Sequence, residues 1–429
     1  MPDANRERLV FATCRPPFPL ESGARIRTHR LLTGLARAFD TTLLTFEFEP
    51  GHPDGHVSKL ELERLLPGVS VLTVAGRWRG KRKSQIASLA RRESWTNGRY
   101  RTEGFTAALT QLVASDAPHI VHFDDPGVAL VPPFADALNV YCAHNVEQTI
   151  LRLGARVGDP MRRAFNAVEA RKVAREERRI WRRADLCLAT SPLDRAVMSA
   201  AGARRVEVCP NGADPVERLP VRRRQADEPL RLLFVGSGHY APYQRGLAWM
   251  VEEVLPLVRA QVPVQFDVVG APPTRPIAGE GVRYVGRVPR VEPYYDAAHV
   301  VVVPVFEGSG TRLKIVEAAA FGRPVVSTRL GAEGLPLTPG AHFLQADGAH
   351  DFAAAVLALE ASWRQPGNID LDHLLNSAHE AVRPLMWPRI VEDLTALYRC
   401  ELARRTAERL ARGQAPVSAT PDQSLSQGR

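Results

Sequence analysis

One stretch has the residue types to hold a phosphate-bearing ligand: EGSGTRLKIVE, residues 307–317. It follows the apolar run VVVVP at 300–304. Gly308 and Gly310 permit a tight turn and a close approach of backbone to ligand. Leu313, Ile315, Val316, Ala319 and Ala320 then take up helical spacing. The free N–H groups at 309–313, Ser309 to Leu313, and the positive end of the helix dipole suit a diphosphate. Arg312 and Lys314 add positive charge at the same place. Glu317, about two turns in, offers a carboxylate to ribose hydroxyls. The same residues also fit an ordinary strand-to-helix turn with a surface glutamate, so context has to decide.

Other candidates are weaker. VGSGHYA (235–241) follows an apolar run and matches a dinucleotide glycine pattern, but QFDVVG (265–270) runs into APPTRP without the acid that would hold an adenosine ribose. No nicotinamide or other cofactor is therefore expected. Asp124 and Asp125 in HFDDPG are read as loop caps, and no metal is expected. His144 by itself reads as a half-buried histidine, and His119 and His122 as structural. No base lies near Cys14 in sequence, so it reads as core packing.

These candidates need elements to carry them. Short apolar runs at 9–14, 41–46, 69–74, 119–123, 139–143, 185–189 and 206–210 alternate with helical stretches, including 24–38, 104–115 and 161–183. The pattern restarts at 231–236, 265–270, 282–286, 300–304 and 324–328. Such alternation predicts two α/β domains with parallel, doubly wound sheets. The polar, proline-containing ADPVERLPVRRRQADEP (213–229) between them reads as a linker. The expected domains are 1–220 and 221–385, followed by a helix at 386–412 that crosses back to the first domain and a disordered tail at 413–429. Ligands of such sheets bind at the carboxyl ends of the strands, which predicts a site in a cleft between the domains.

The chain of 429 residues, 45% hydrophobic and 24% charged, has the composition of a soluble globular protein. Its formal charge of +9 is uneven: residues 77–101 carry nine Arg/Lys against one Glu, and 152–183 eleven against four acids. Two readings stay open for the basic helix 161–183: docking on an anionic membrane, or packing with a solvated basic face. Five cysteines without a CxxC read as free thiols in a reducing compartment. The N-terminus has no apolar signal core, and a cytoplasmic place is expected.

GSGTRLKIVEAAAFGRPVVSTRLGAEGL resembles the nucleotide-sugar segment of glycosyltransferase family 4, the group 1 type on the GT-B fold of two Rossmann-like domains facing across a cleft. PPFPLESGARIRTHRLLTGLA resembles that family's first glycine loop, YCAHNVE (141–147) its histidine segment, and VCPNGAD (208–214) its segment before the linker. VRYVGRVPRVEPYYDAAHVVVVP (282–304) resembles the stretch leading into the donor loop. The resemblance implies a metal-independent, hexosyl-type transferase that takes a nucleotide-diphosphate sugar and, with retention, glycosylates a glycan or lipid-linked acceptor in polysaccharide or glycoconjugate synthesis. No nucleic-acid partner is implied. By the same resemblance Gly23 approaches the diphosphate, His144 the transferred sugar, and Gly310, Thr311 and Arg312 the phosphates. Glu317 takes the ribose, and Arg287 and Val288 frame the base. The sequence departs from the family where a first glutamate is usual: Ser309 occupies that position, and Glu307 lies two residues early. Of the usual Arg/Lys pair after the first strand of the second domain, only Arg245 is present, with Arg312 and Lys314 available for its phosphate role. A nucleotide-sugar epimerase on the same fold, or a nucleotide-binding protein without catalysis, is the alternative.

Overall fold

The computed structural model describes residues 6–413 apart from 53–54, 77–80, 157–158, 222–223, 226, 239–240, 274–275, 308–311 and 364–368, with the side chains of 81–83 and 241 also outside the description. The expected glycine turn at Ser309, Gly310 and Thr311 thus lies outside the described residues, as does the expected tail beyond Gly413.

The chain divides into two compact units, one of Met1–Cys209 with Ile390–Arg429 and one of Pro210–Arg389. In chain order the first contains β1 (Arg8–Ala12), α1 (Gly23–Leu35), β2 (Asp40–Phe48), α2 (Lys59–Leu65), β3 (Val69–Gly76), α3 (Lys81–Leu89) and α4 (Trp95–Gly98). It continues with α5 (Glu103–Asp116), β4 (Ile120–Phe123), β5 (Leu138–Cys142), α6 (Glu147–Gly154), α7 (Pro160–Arg183), β6 (Leu186–Ala189), α8 (Pro192–Ala200) and β7 (Val206–Val208). Its seven strands pair in parallel in the order β3-β2-β1-β4-β5-β6-β7.

The second unit contains β8 (Leu230–Val235), α9 (Ala241–Trp249), α10 (Leu255–Arg259), β9 (Val264–Val269), β10 (Val282–Gly286), α11 (Glu292–Ala297) and β11 (Val300–Val303). A π-helical turn, Met250–Val254, joins α9 to α10. Then come α12 (Leu313–Ala320), β12 (Val325–Ser327), β13 (Leu344–Gln345), α13 (Ala349–Ser362) and α14 (Leu371–Val382). Its parallel sheet has the order β10-β9-β8-β11-β12-β13. The last helix, α15 (Trp387–Ala411), passes from the second unit into the first at Ile390. Each apolar run expected as a strand is one, and the architecture is two doubly wound α/β units. The two-residue β13 has no signal in its sequence.

Parallel strands need helical crossovers, and helices on both faces demand side chains that are apolar on both. The run VVVV of β11 meets this: Val300 and Val302 enter one buried cluster with Phe234 and Phe266, while Val301 and Val303 enter another with Leu233 and Val269. The first unit's core gathers Val10, Phe46, Val121, Tyr141 and Trp181. Residues 213–219, read in the sequence as linker, join the second unit's packing. Leu219 donates its N–H to Phe321, and Val216 and Leu219 lie against the second of those clusters. The division accordingly falls at Cys209, some residues before the expected 220.

The basic helix α7 earns its position through its acids. Glu177 accepts the N–H groups of Glu147 and Gln148 at the start of α6. Glu169 accepts those of Trp95 and Thr96, and Glu176 that of Ser94, so both cap α4. Helix starts leave such N–H groups unpaired, and buried carboxylates satisfy them. Arg171, Arg175, Arg178, Arg179, Arg182 and Arg183 remain exposed on the other side. Among the described residues no helix is long and apolar enough to cross a membrane. Cys14, Cys142, Cys187 and Cys209 are buried free thiols, and Cys400 is exposed.

Candidate functional site

In the second unit, the sequence order strand, glycine turn, helix becomes β11, Glu307, the undescribed 308–311, and α12. Arg312 caps the helix with extended dihedrals (φ −94°, ψ 93°), so the helix starts at Leu313. Glu317 therefore stands little more than one turn along, not two. Lys314 is buried, and its Nζ has no hydrogen-bond partner among the described residues. The ammonium sits 3.8 Å from the Phe234 ring centre and 3.6 Å from that of Tyr243. Gly236, at the carboxyl end of β8, makes room for it: a Cβ there would lie 2.8 Å from Nζ. Burial, then repulsion from Arg312, pushes the Lys314 pKa well below the ordinary lysine value, with Glu317 offsetting part.

Aromatic faces attract a cation by about 0.5–2 kcal/mol, less than the cost of removing an ammonium from water. An anion beside Nζ would make up the difference. β8 and β11 are the adjacent strands where the order of this sheet reverses, the position at which open α/β sheets take ligands. Glu317 is half-buried and accepts the Tyr295 hydroxyl at 3.1 Å. Burial raises its pKa, while Tyr295 and Lys314 draw it back. Tyr295, stacked on Phe321 at 4.6 Å, orients the carboxylate, and nothing in its sequence context signals this.

The remaining donor-side candidates are spread more loosely. Leu313 is half-buried in the first turn of α12, and Arg312 is buried at its cap. Arg245 is exposed on α9, with Nη1 3.9 Å from the Glu307 carboxylate. Arg287 is exposed and Val288 half-buried, just after Gly286, whose φ of +87° turns the chain out of β10. After β9 the chain enters Gly270 and Ala271, again without an acid for a dinucleotide ribose.

In the first unit Gly23 opens α1 behind Ser22, whose Oγ accepts from the Arg25 N–H. His144 follows β5, and its Nε2 lies 3.1 Å from Asp124 Oδ2. Thr28 on α1 donates to the same carboxylate oxygen at 2.5 Å. His122 Nε2 stands 3.5 Å from Oδ1, while its Nδ1 meets the Tyr398 hydroxyl of α15 at 2.6 Å. Burial opposes the charge on Asp124, but His144, by its charge and hydrogen bond, and the nearby His122 ring outweigh it and hold the carboxyl well below the usual range. Burial likewise disfavours the His144 cation, yet Asp124 raises its pKa overall. His122, which faces the same carboxylate from inside the core, is pushed down by its burial.

Sequence reading took both acids of HFDDPG for caps. Asp125 is one, accepting the Cys14 N–H at 3.2 Å; Asp124 instead orients His144. Register carries the missed signal. Phe123 pairs with Tyr141, which puts the next residue, Asp124, level with Cys142 and close to His144. His122, Asp124 and Cys142 bring ligand-type atoms within 4.8 Å of one another. The Arg27 guanidinium, 3.5 Å from Cys142 Sγ, already brings positive charge to that cluster.

Two doubly wound parallel α/β units are the architecture of the GT-B fold. A glycosyl transferase 4-like domain model matches residues 22–212, and a glycosyl transferases group 1 model matches residues 229–362. The chain thus belongs to the glycosyltransferases of the family 4, group 1 type. Sucrose-phosphate synthase from Thermosynechococcus elongatus is similar in structure, with a TM-score of 0.67 at 20% identity over 92% of this chain and 100% of that one. Anabaena HepE in complex with UDP gives 0.60 at 14% identity over 92% and 100%. WaaG, a glycosyltransferase involved in lipopolysaccharide biosynthesis, gives 0.60 at 13% over 91% and 99%. These likenesses establish the fold. No curated protein matches the chain in sequence.

Proposed function

We propose that this glycosyltransferase moves a hexosyl group from a nucleotide-diphosphate sugar to a glycan or lipid-linked acceptor, with retention and without a metal, in polysaccharide or glycoconjugate synthesis. The observation that carries the reading is the buried Lys314 side chain at the sheet's switch point, without a hydrogen-bond partner among the described residues, beside Arg312 and one turn from Glu317. Breaking a sugar–diphosphate bond leaves positive charge on the ring and negative charge on the departing phosphate. Lys314, Arg312 and the free N–H groups of α12 stabilise that leaving group without a metal ion. Glu317, oriented by Tyr295, accepts ribose hydroxyls, and Arg287 and Val288 frame the base. His144, held by Asp124, serves the transferred sugar as the resemblance implies. Gly23 approaches the diphosphate from its own unit. Ser309, Gly310 and Thr311 supply main-chain contacts to phosphate, and Arg245 adds outer charge. The HepE complex with UDP supports a nucleotide-sugar donor. The exposed basic face of α7 supports a cytoplasmic enzyme that meets an anionic membrane peripherally.

Incubation with a panel of nucleotide sugars, with and without candidate acceptors, tests the reading. Acceptor-dependent release of nucleoside diphosphate is the expected result. An altered sugar without release would mean epimerisation, and binding with neither would mean a site without catalysis; both overturn it.

A further inference from the structure

The first unit holds a second concavity that the donor chemistry leaves unused. A cavity of about 680 Å³ opens at the carboxyl ends of β2 and β3, walled by Phe46, Phe48, Trp95, Arg99, Tyr100 and Thr102. Part of its lining, from Ser84 to Arg101, belongs to the basic stretch noted in the sequence. The Arg99 guanidinium lies 5.0 Å from the Trp95 ring centre and 4.5 Å from that of Tyr100. Among the described residues it has no carboxylate or other acceptor, and its buried Nε is unpaired. Arg91 and Arg101 stand exposed at the rim, and Arg101 pairs with Glu93 at 2.5 Å.

The wall is held in place. Trp95 spends its indole N–H on Ser84 at 2.9 Å, and Arg99 covers one face of its ring. Glu169 and Glu176 of α7 pin the backbone of α4 from behind. Tyr100 packs against Gly127, where a Cβ would lie 2.9 Å from Tyr100 Cβ, so the cavity shares a wall with the loop that carries Asp124. It therefore sits on the same carboxyl edge of the sheet as His144.

We propose that this cavity binds an anionic saccharide, a sugar carrying a carboxylate or a phosphate, as the acceptor end of the reaction. Aromatic faces match the C–H faces of a pyranose. The guanidinium, stacked and lacking an acceptor, gives a bidentate partner to either anion. Ser88 Oγ, which donates to Gln85 O, retains its acceptor capacity, and Thr102 Oγ, which accepts the Phe105 N–H, retains its proton to donate. As an acceptor site the proposal rests on the transferase reading. Its binding test omits the donor, so failure here is distinguishable from failure of nucleoside diphosphate release.

The test is titration calorimetry on the full chain with methyl glucuronide, glucose 6-phosphate, methyl glucoside and inorganic phosphate. At least one of the two anionic sugars is expected to bind about tenfold or more tighter than both methyl glucoside and inorganic phosphate. Which of the two binds identifies the anion. Arg99→Gln is expected to remove that advantage and Arg99→Lys to restore part of it, with the melting temperature monitored for each. Should Arg99→Gln unfold, Arg91→Gln at the rim reads the same field, with about a threefold loss for the anionic sugar only. Equal binding of charged and neutral sugars overturns the proposal, as does binding of inorganic phosphate as tight as the sugar phosphate. No binding of either anionic sugar, or unchanged affinity in the arginine variants, overturns it too.

Discussion

The two units treat buried charge in opposite ways. In the first, Asp124 Oδ2 is hydrogen-bonded by His144 and Thr28, while Oδ1 has only the His122 ring 3.5 Å away. In the second, Lys314 is surrounded by Phe234 and Tyr243, with no anion on its Nζ among the described residues. A charge compensated inside the protein stabilises the fold and orients its neighbours. One left to aromatic faces costs stability that a ligand can return. Both kinds of residue are expected to matter for turnover, but only the first should stabilise the fold.

The largest test of that contrast is Asp124→Asn. Breaking a buried, hydrogen-bonded pair costs about 3–5 kcal/mol, read by chemical denaturation near neutral pH. The pH dependence follows from the two shifts. Asp124 is depressed, so its contribution is present above the ordinary carboxylate value of about 4 and fades as pH falls below it. His144 is raised, so its part is present in acid and is lost as pH rises through its folded value. The difference from wild type should peak between these limits, and a variant as stable as wild type at every pH would break the contrast.

Lys314→Met should act with the opposite sign. Nucleoside diphosphate binding is expected to weaken about 10–150-fold by calorimetry, while the melting temperature holds or rises. Because burial depresses this lysine, the unliganded wild type should gain stability as pH rises toward 10.5, and the variant should lack that gain. A destabilised variant with intact binding would put Lys314 in the structural class.

Glu317→Ala should cost about 10–100-fold in nucleotide-sugar binding and turnover with the fold intact by circular dichroism. Wild-type turnover would remove Glu317 from the site. His144→Ala is expected to reduce turnover about tenfold or more while nucleoside diphosphate binding changes less; equal losses would argue against a role at the sugar. The smallest effect belongs to Glu307→Ala. Its partner Arg245 is exposed and 3.9 Å away, so activity should stay within about fivefold of wild type.

Much of this was legible in sequence because it is periodic or local. Apolar runs of strand length alternating with helical stretches dictate parallel, doubly wound sheets, since both faces of each strand must be covered. The family segments order themselves along the chain, and the start of α12 at Leu313 follows from the helical spacing of Leu313, Ile315 and Val316.

What tertiary structure alone decided concerns pairs distant in sequence. Tyr295 reaches Glu317 because α11 packs on β8 and α12 on the neighbouring strand β11, and Tyr398 reaches His122 only because the chain returns to the first unit at Ile390. Asp124 changes from a loop cap to the partner of His144 through strand register. Lys314 and Glu317 are near in sequence, yet the burial of the one and the orientation of the other come from β8, α9 and α11. Residue types and spacing mark where a phosphate can be held; desolvation, which depends on every neighbour at once, decides which of those charges is left for a ligand.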